Sequence, residues 1–295
     1  MDVKEHSRAD LGHKLSEEEQ ADIYHYSGAI DEEGLNRLRA EFRVNKRSRA
    51  ILILTTQGGD ISVAYRIARL FHRKYERLTV YIPRFCMSAG TLVALGAHDL
   101  IIHPDAFMGP IDPQMRAVDE LSVWESALSP YATLVALGDA AGDIVERTAV
   151  NLATKSDGAI SFRLASELGA TLASGLLSGL MSRLSPSAFG ERQLAIDETT
   201  EYGNRLVKTS RNASEETVRH LISDYPKHDF IIDTTEASEL FEDVSAPSDL
   251  LDMYALSLDL PEGVTIIRHG MDAGGPDEEN DGCDGELATE NRHAA

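Results

Sequence analysis

The sequence predicts an α/β protein whose sheet is mostly parallel and surrounded by helices. Two continuous apolar runs, Ala50–Leu54 and Leu78–Ile82, have the length and composition of strands that are covered on both faces. Between them, apolar residues recur at three-to-four spacing from Ile61 to Phe71, which indicates an amphipathic helix. Alternation of strand and helix without interruption is typical of parallel sheets.

The other predicted elements continue this order along the chain. Asp31 and Asp60 precede helical patterns and are predicted N-caps. Further strands are predicted at Ala21–Ser27, Leu100–His103 and Phe230–Asp233, and further helices at Ala89–Ala97, across most of 121–221, and at Thr235–Phe241. With 42% apolar residues, the chain has enough hydrophobic surface for a sizeable core.

Two predicted strand-to-helix turns carry residues suited to chemistry. The first contains Gly58-Gly59, where the backbone N–H groups can face a ligand without a side chain in between. The second places Ser88 before Ala89 and Gly90, in the manner of a nucleophile elbow. Because the carboxyl ends of parallel strands meet at one edge of the sheet, we predict a nucleophile beside an oxyanion hole. The alternative for Ser88 is a helix-capping serine.

Three motifs in order give the chain a family resemblance: Thr56-Gln57-Gly58-Gly59, Met87-Ser88-Ala89-Gly90-Thr91 and Gly109-Pro110-Ile111-Asp112-Pro113-Gln114. With a weaker fourth at Tyr225–Asp229, they resemble the serine dehydrogenase proteinase family of the Clp protease/crotonase superfamily, which is related to signal peptide peptidase A. The resemblance extends over about residues 21–256. It implies a Clp protease/crotonase-like fold and a peptidase.

The resemblance also implies a catalytic triad of Ser88, Asp112 and His228. Gly58, Gly59 and the N–H group of Ala89 would form the oxyanion hole. The chain departs from its relatives at the base, because the segment 107–112 lacks the histidine of the Clp subunit. Signal peptide peptidases use a lysine, which leaves Lys155 as an alternative base. For Asp112 itself, a turn-stabilising role is the alternative to orienting an imidazole.

Charge and cysteine content restrict the partners and the compartment. The net charge of −21 opposes a nucleic-acid partner, which needs a concentrated basic face. Cys86 and Cys283 do not suggest a disulfide framework, and the N-terminal residues lack an apolar signal sequence. We therefore expect a cytoplasmic protein. The resemblance implies peptide or protein substrates, and we expect neither a metal nor a cofactor.

The predicted organisation is a flexible N-terminal arm at 1–20, one hydrolase domain at 21–256 and an acidic disordered tail at 257–295. The apolar segment Leu168–Met181 has 14 residues, fewer than the ~20 needed to span a bilayer. Together with its flanks, Leu164–Leu184, it predicts a homo-oligomer, since exposed apolar surface of this kind usually marks an interface. Shallow membrane contact is the less favoured alternative.

Three functional hypotheses follow from these residues. The preferred one is a serine hydrolase that forms an acyl-enzyme on Ser88. A second is a catalytically silent oligomeric scaffold with the same fold, since the base is displaced. A third is a crotonase-like acyl-CoA enzyme, in which the same backbone donors would hold an enolate; the sequence has no basic cluster suited to a CoA phosphate.

Overall fold

A computed structural model describes residues 3–42, 47–116, 124–182, 185–258 and 265–269. Its strands are β1 (Asp22–Ser27), β2 (Arg49–Thr55), β3 (Arg77–Ile82), β4 (Phe85–Cys86), β5 (Asp99–Ile102), β6 (Phe107–Met108), β7 (Gln114–Arg116), β8 (Trp124–Ser126), β9 (Val244–Ser245) and β10 (Thr265–His269). Its helices are α1 (Val3–Glu18), α2 (Glu32–Glu41), α3 (Ile61–Lys74), α4 (Ala89–Leu95), α5 (Ser129–Lys155), α6 (Phe162–Met181), α7 (Pro186–Ser210), α8 (Glu215–Ser223), α9 (Thr234–Leu240) and α10 (Asp249–Leu256).

A six-stranded sheet with the order β10-β1-β2-β3-β5-β9 forms the centre of the fold. Every described pair in it is parallel except β10 with β1, which is antiparallel. Strand β2 is buried almost throughout, as expected for a strand covered on both faces. The α/β fold class with a mostly parallel sheet is therefore confirmed.

The register of the sheet brings the two predicted turns together. Ile53 in β2 lies opposite Tyr81 in β3, so both strands end at the same edge. Beyond that edge, Thr56 forms an isolated bridge with Cys86, and the Met87 N–H donates to the Thr56 carbonyl at 2.9 Å. The glycine turn and the serine turn consequently lie side by side.

The N-terminus differs from the flexible arm predicted for residues 1–20. Residues 3–18 form α1, and Leu15 is fully buried in a core cluster that also contains Leu251 and Tyr254 of α10. The segment is polar apart from a few apolar positions, so its pattern gave no helix signal. Its order comes from packing against the distant helix α10 rather than from local propensity.

The C-terminal region also differs from prediction. Strand β10 lies inside the segment 257–295 that was predicted to be disordered, and it pairs antiparallel with β1. Arg268 in β10 lies 3.6 Å from the buried Asp22 carboxylate and 5.8 Å from the Tyr24 ring centroid. This edge pairing is a long-range contact that the local acidic composition does not reveal. Residues 270–295, including Cys283, lie outside the described residues.

A predicted late strand at Phe230–Asp233 is wrong. The segment instead makes a single isolated bridge between Ile232 and Met108, and the last parallel strand is β9 at Val244–Ser245. The bridge matters for function, because it holds the loop before Ile232 against the segment that leads from Met108 to Asp112.

Helices α5 and α6 pack against each other as a hairpin. A face of α6 remains exposed, and its apolar residues are between 45% and 62% accessible. These residues are Phe162, Leu164, Leu168, Leu172, Leu176, Leu180 and Met181. Within the part of the chain that the structure describes, α6 is long and apolar enough to cross a membrane by length and composition, with 17% of its apolar window buried.

Candidate active site

Ser88 occupies the strained turn that starts α4. Its backbone angles are φ 50° and ψ −113°, a conformation that side-chain-bearing residues rarely adopt. Its hydroxyl makes no capping hydrogen bond to the helix, so Ser88 is not a conventional N-cap serine. Backbone strain of this kind costs roughly 1–3 kcal/mol and concentrates at functional sites.

Neighbouring small and polar side chains hold this turn in place. The Thr91 hydroxyl lies 2.7 Å from the Gly109 carbonyl oxygen and 3.0 Å from that of Cys86. A Cβ on Gly90 would lie 2.4 Å from the Thr56 side chain, so α4 starts closer to the sheet than any larger residue would allow. Cys86 is fully buried, and burial raises the pKa of its thiol, consistent with a packing role.

The glycine turn contacts the serine turn directly, as predicted. Gly58 has φ +106°, and a Cβ built on it would lie 2.9 Å from Ser88 Cβ and 3.4 Å from the Ala89 nitrogen. Gly59 has φ +148°, and a Cβ there would lie 2.2 Å from the Ile30 carbonyl oxygen. Both positions therefore require glycine, one for the approach of Ser88 and the other for the approach of the 29–31 segment.

The free backbone donors at this turn are Gly59 and Ala89. The Gly58 N–H donates to Thr56 Oγ1 at 3.0 Å and is therefore occupied. Within the described residues, the N–H groups of Gly59 and Ala89 have no hydrogen-bond acceptor. Gly59 also lines the cavity that Ser88 faces, whereas Gly58 and Ala89 do not. Of the three predicted oxyanion-hole residues, Gly59 and Ala89 present unpaired donors.

Asp112 is a buried carboxylate held by two side chains. Ser126 Oγ donates to its Oδ1 at 2.7 Å, and Gln114 Nε2 donates to its Oδ2 at 3.1 Å. Its Oδ2 also lies 4.0 Å from His228 Nδ1. Burial raises the pKa of Asp112, and the Ser126 bond, the His228 charge and the Gln114 bond only partly oppose this shift.

The raised pKa of Asp112 predicts a stability difference that depends on pH. The folded state disfavours the ionised carboxylate, so wild-type stability falls as pH rises through the folded-state pKa, above the unfolded value of about 3.9. Asp112→Asn cannot ionise. We expect its free energy of unfolding, relative to wild type, to increase from about pH 4 to about pH 8 in urea titrations.

The control for this experiment is Asp105→Asn, at an exposed loop carboxylate. Its stability relative to wild type should change little over the same range. If the free energy of unfolding of Asp112→Asn, relative to wild type, decreased with rising pH, the ionised Asp112 would stabilise the fold.

His228 lies in the loop after α8 and faces the same cavity as Ser88. Its Nδ1 atom is buried and has no hydrogen-bond partner in the described chain, although the Asp112 carboxylate is 4.0 Å away. No hydrogen bond joins His228 to Ser88. In enzymes without bound substrate such contacts are often long and tighten only in the substrate complex. Lys155 is exposed at the end of α5 and does not line this cavity.

The cavity has a volume of about 820 Å³. Besides Ser88, Gly59 and His228, its walls include residues that the sequence analysis did not predict to be part of the site: Ala29, Ile30, Asp31, Asp60, Ile61, Ser62, Ala195, Glu198 and Thr199. The last three lie on one face of α7, which reaches the site only after the α5–α6 hairpin. No local pattern signals such a return of the chain.

Among the described residues, no three His, Cys, Asp or Glu side chains form a group that would hold a metal ion.

Sequence comparison finds that the part of the chain around this site is similar to a known family. Residues 21–130 match the family model of the ClpP-like SDH-type serine proteinases. Two uncharacterized proteins of Methanocaldococcus jannaschii are 37% identical over 75 residues and 34% identical over 93 residues. These alignments cover 25% and 32% of this chain, and the chain spans only 26% and 32% of the length of these relatives.

Several solved proteases are similar in structure at low identity. Two structures of the membrane-bound stomatin-specific protease 1510-N, one with a substrate peptide, give TM-scores of 0.45 and 0.44 at 13% and 15% identity. The aligned regions cover 79% and 78% of this chain, and 82% and 76% of the two protease chains. A ClpP1 variant from Listeria monocytogenes gives a TM-score of 0.41 at 13% identity, covering 80% of this chain and 99% of its own.

The family match confirms the resemblance that the three motifs predict. It spans the glycine turn, Ser88 and Asp112, and it stops before α6, α7 and His228. The match supports a serine peptidase.

Proposed function

We propose that this protein is a serine peptidase that works through an acyl-enzyme on Ser88. One observation carries the proposal: a strained serine, 7% exposed and without a hydrogen-bond partner among the described residues, lies against a glycine turn and faces a cavity. The hydroxyl borders the cavity and is not bonded to another described protein group, so it is free to meet a substrate. Attack on a substrate carbonyl is a use that also explains the strain at this residue.

In the proposed reaction, Ser88 Oγ attacks the carbonyl carbon of a peptide bond and gives up its proton to a base. The N–H groups of Gly59 and Ala89 would donate to the oxygen that becomes negatively charged, while Gly58 shapes the turn. Losing one such donor typically costs about 3 kcal/mol of barrier. The base returns the proton to the departing amine, and water then hydrolyses the ester.

We assign the base to His228, oriented by Asp112. Both Ser88 and His228 line the cavity, and the imidazole has a buried carboxylate behind it. Burial raises the pKa of Asp112, so its ionised form makes the fold less stable. A carboxylate with this property that also faces an imidazole is typical of a catalytic site. Lys155 is the weaker candidate because it lies away from the cavity.

A fluorophosphonate probe tests this proposal, because it reacts covalently with activated serines. We expect a single adduct that mass spectrometry locates on Ser88. Ser62 provides an internal comparison: it lines the same cavity, but its hydroxyl donates to Asp60 Oδ1 at 2.7 Å. An unlabelled folded protein would instead support the silent scaffold, and equal labelling of Ser62 would mean nonspecific reaction.

Two further properties concern the substrate class and the compartment. We propose that the substrates are peptides or proteins and that the enzyme acts in the cytoplasm. The net charge of −21 disfavours a nucleic-acid partner and an anionic membrane surface alike.

We propose further that the protein self-associates through α6. Its exposed leucines, Leu164, Leu168, Leu172, Leu176 and Leu180, recur every four residues along one stripe. Gly175 and Gly179 have open space where a side chain would lie, so another helix can approach closely. The hairpin face measures about 20 Å by 30 Å. The product, about 600 Å², is of the same order as the ~800 Å² that each partner contributes to a standard interface.

The self-association proposal predicts a large effect of charge in the stripe. Leu172→Glu combined with Leu176→Glu should shift the protein to monomer in sedimentation velocity at micromolar concentration, because the carboxylates would be desolvated at the interface. Ser174→Glu, at an exposed position on the opposite side of α6 from the leucine stripe, is the matched control and should leave the assembly intact. A monomeric wild type would contradict the proposal. Flotation of wild type with neutral liposomes, lost in the double variant, would instead assign the stripe to a membrane.

A further inference from the structure

The cavity beside Ser88 combines apolar walls with carboxylates. Ala29, Ile30, Ile61 and Ala195 provide aliphatic surface, and Asp31, Asp60 and Glu198 provide negative charge. None of the described residues that line the cavity is Lys or Arg. Ser88, which is 7% exposed and whose hydroxyl has no hydrogen-bond partner among the described residues, lines this same space, which marks the cavity as a place where a ligand is bound and not only as an acidic surface.

Two of the carboxylates are fixed in position by the helices they cap. Asp31 Oδ1 accepts the Gly34 N–H at 2.7 Å, and Asp60 Oδ1 accepts the Val63 N–H at 3.0 Å. In both residues Oδ1 accepts these hydrogen bonds from the described chain, so the second carboxylate oxygen, Oδ2, is available to a ligand. Burial acts to raise the pKa of Asp60, but bonds from Ser62 and Val63 and the Arg66 charge lower it overall, so this carboxylate is ionised at neutral pH.

The two nearby arginines offset this charge only in part. Arg66 forms a two-pronged ion pair with Glu32, with Nη2 at 3.2 Å from Oε2. Arg205, about two turns beyond Glu198 on α7, pairs with Glu201 at 2.8 Å. Each arginine therefore has a carboxylate of its own outside the cavity, and the cavity keeps an excess of negative charge.

We infer that this cavity binds a lysine or arginine side chain of the substrate next to the bond that Ser88 cleaves. The long aliphatic stem of such a residue would lie along the apolar walls, and its cationic head would reach the carboxylates. A hydrophobic side chain of the same length would leave the carboxylates without a partner, which is the basis of discrimination. The inference rests on the proposed peptidase function, and it adds the substrate class.

Binding to a catalytically inactive variant tests the pocket separately from catalysis. Ser88→Ala protein is titrated with two fluorescent peptides of one sequence, acetylated at the N-terminus, that differ only in carrying lysine or norleucine. We expect roughly 10-fold tighter binding of the lysine peptide at low salt, with the preference weakening as salt screens the charges. Equal affinities would overturn the inference.

Two variants locate the preference in the cavity. Asp60→Asn with Glu198→Gln, in the Ser88→Ala background, should reduce the lysine preference to at most about two-fold, because asparagine still caps α3. Glu33→Gln is the matched control, since Glu33 is exposed on α2 and pairs with Arg37 outside the cavity. An unchanged preference in the double variant would contradict the assignment to these carboxylates.

A third peptide separates a side chain from a terminal amine. It carries norleucine and a free N-terminus, and we expect it to bind as weakly as the acetylated norleucine peptide. Tighter binding of this peptide than of the acetylated lysine peptide would show that the cavity takes an α-ammonium group instead. Because binding is measured without Ser88, a protein that discriminates the peptides but resists the fluorophosphonate probe would disprove the peptidase while leaving the pocket intact.

Discussion

Replacing Ser88 with glycine should abolish labelling by the fluorophosphonate probe and at the same time make the protein more stable. The first effect follows from loss of the attacking oxygen. The second follows from φ 50° and ψ −113°, which glycine adopts without strain. Relief of about 1–3 kcal/mol of strain, less the 0.5–1 kcal/mol that glycine costs through chain entropy, leaves a net gain of roughly 1 kcal/mol. For a domain of this size that is about 2–4 °C in Tm.

Two further variants make the result specific to backbone strain at the nucleophile. Ser88→Ala should lose labelling to the same degree, by at least about 10³-fold, without the gain in Tm, because alanine keeps the strain. Ser62→Gly should keep labelling and lose stability by about 0.5–1 kcal/mol, since Ser62 is within helix α3. A Ser88→Gly protein that is less stable than wild type would mean that the serine packs or caps in a structural role.

The sheet and the nucleophile turn are predictable because local signals specify them. Apolar runs of strand length bounded by Gly58 and Ser88 already define where two parallel strands end. The short-range contacts that shape each turn lie within the same motif, as the Thr91 hydroxyl and the Cys86 and Gly109 carbonyls illustrate. These parts of the site therefore required no knowledge of distant contacts.

The parts that the sequence did not predict depend on tertiary pairing. Helix α1 is ordered through Leu15 against α10, and β10 is ordered through pairing with β1, more than 200 residues earlier. Ser126, which holds Asp112, becomes a partner only because β7 and β8 pair. Glu198 reaches the cavity only because α7 returns after a hairpin of two long helices. None of these positions has a local signal of its own.

His228→Ala should lower the rate of probe labelling by about 10³-fold while leaving the melting temperature unchanged. The loss follows because an unassisted serine is a poor nucleophile at neutral pH. The side chain is 30% exposed, and its Nδ1 makes no hydrogen bond, so its removal costs little packing. His220→Ala is the matched control: this histidine lies on α8, pairs with Asp224 at 2.8 Å and does not line the cavity, so labelling should proceed at the wild-type rate.

Added imidazole should restore part of the lost rate in His228→Ala, because the deleted side chain leaves a space beside Asp112 that opens into the cavity. The rescue should disappear when Asp112→Asn is combined with His228→Ala, since the free base then has no carboxylate to orient it. A purely structural histidine would show no such rescue. If His228→Ala labels as fast as wild type and Lys155→Ala does not, the base is the lysine, delivered to the cavity by movement of the α5–α6 hairpin or by a neighbouring copy.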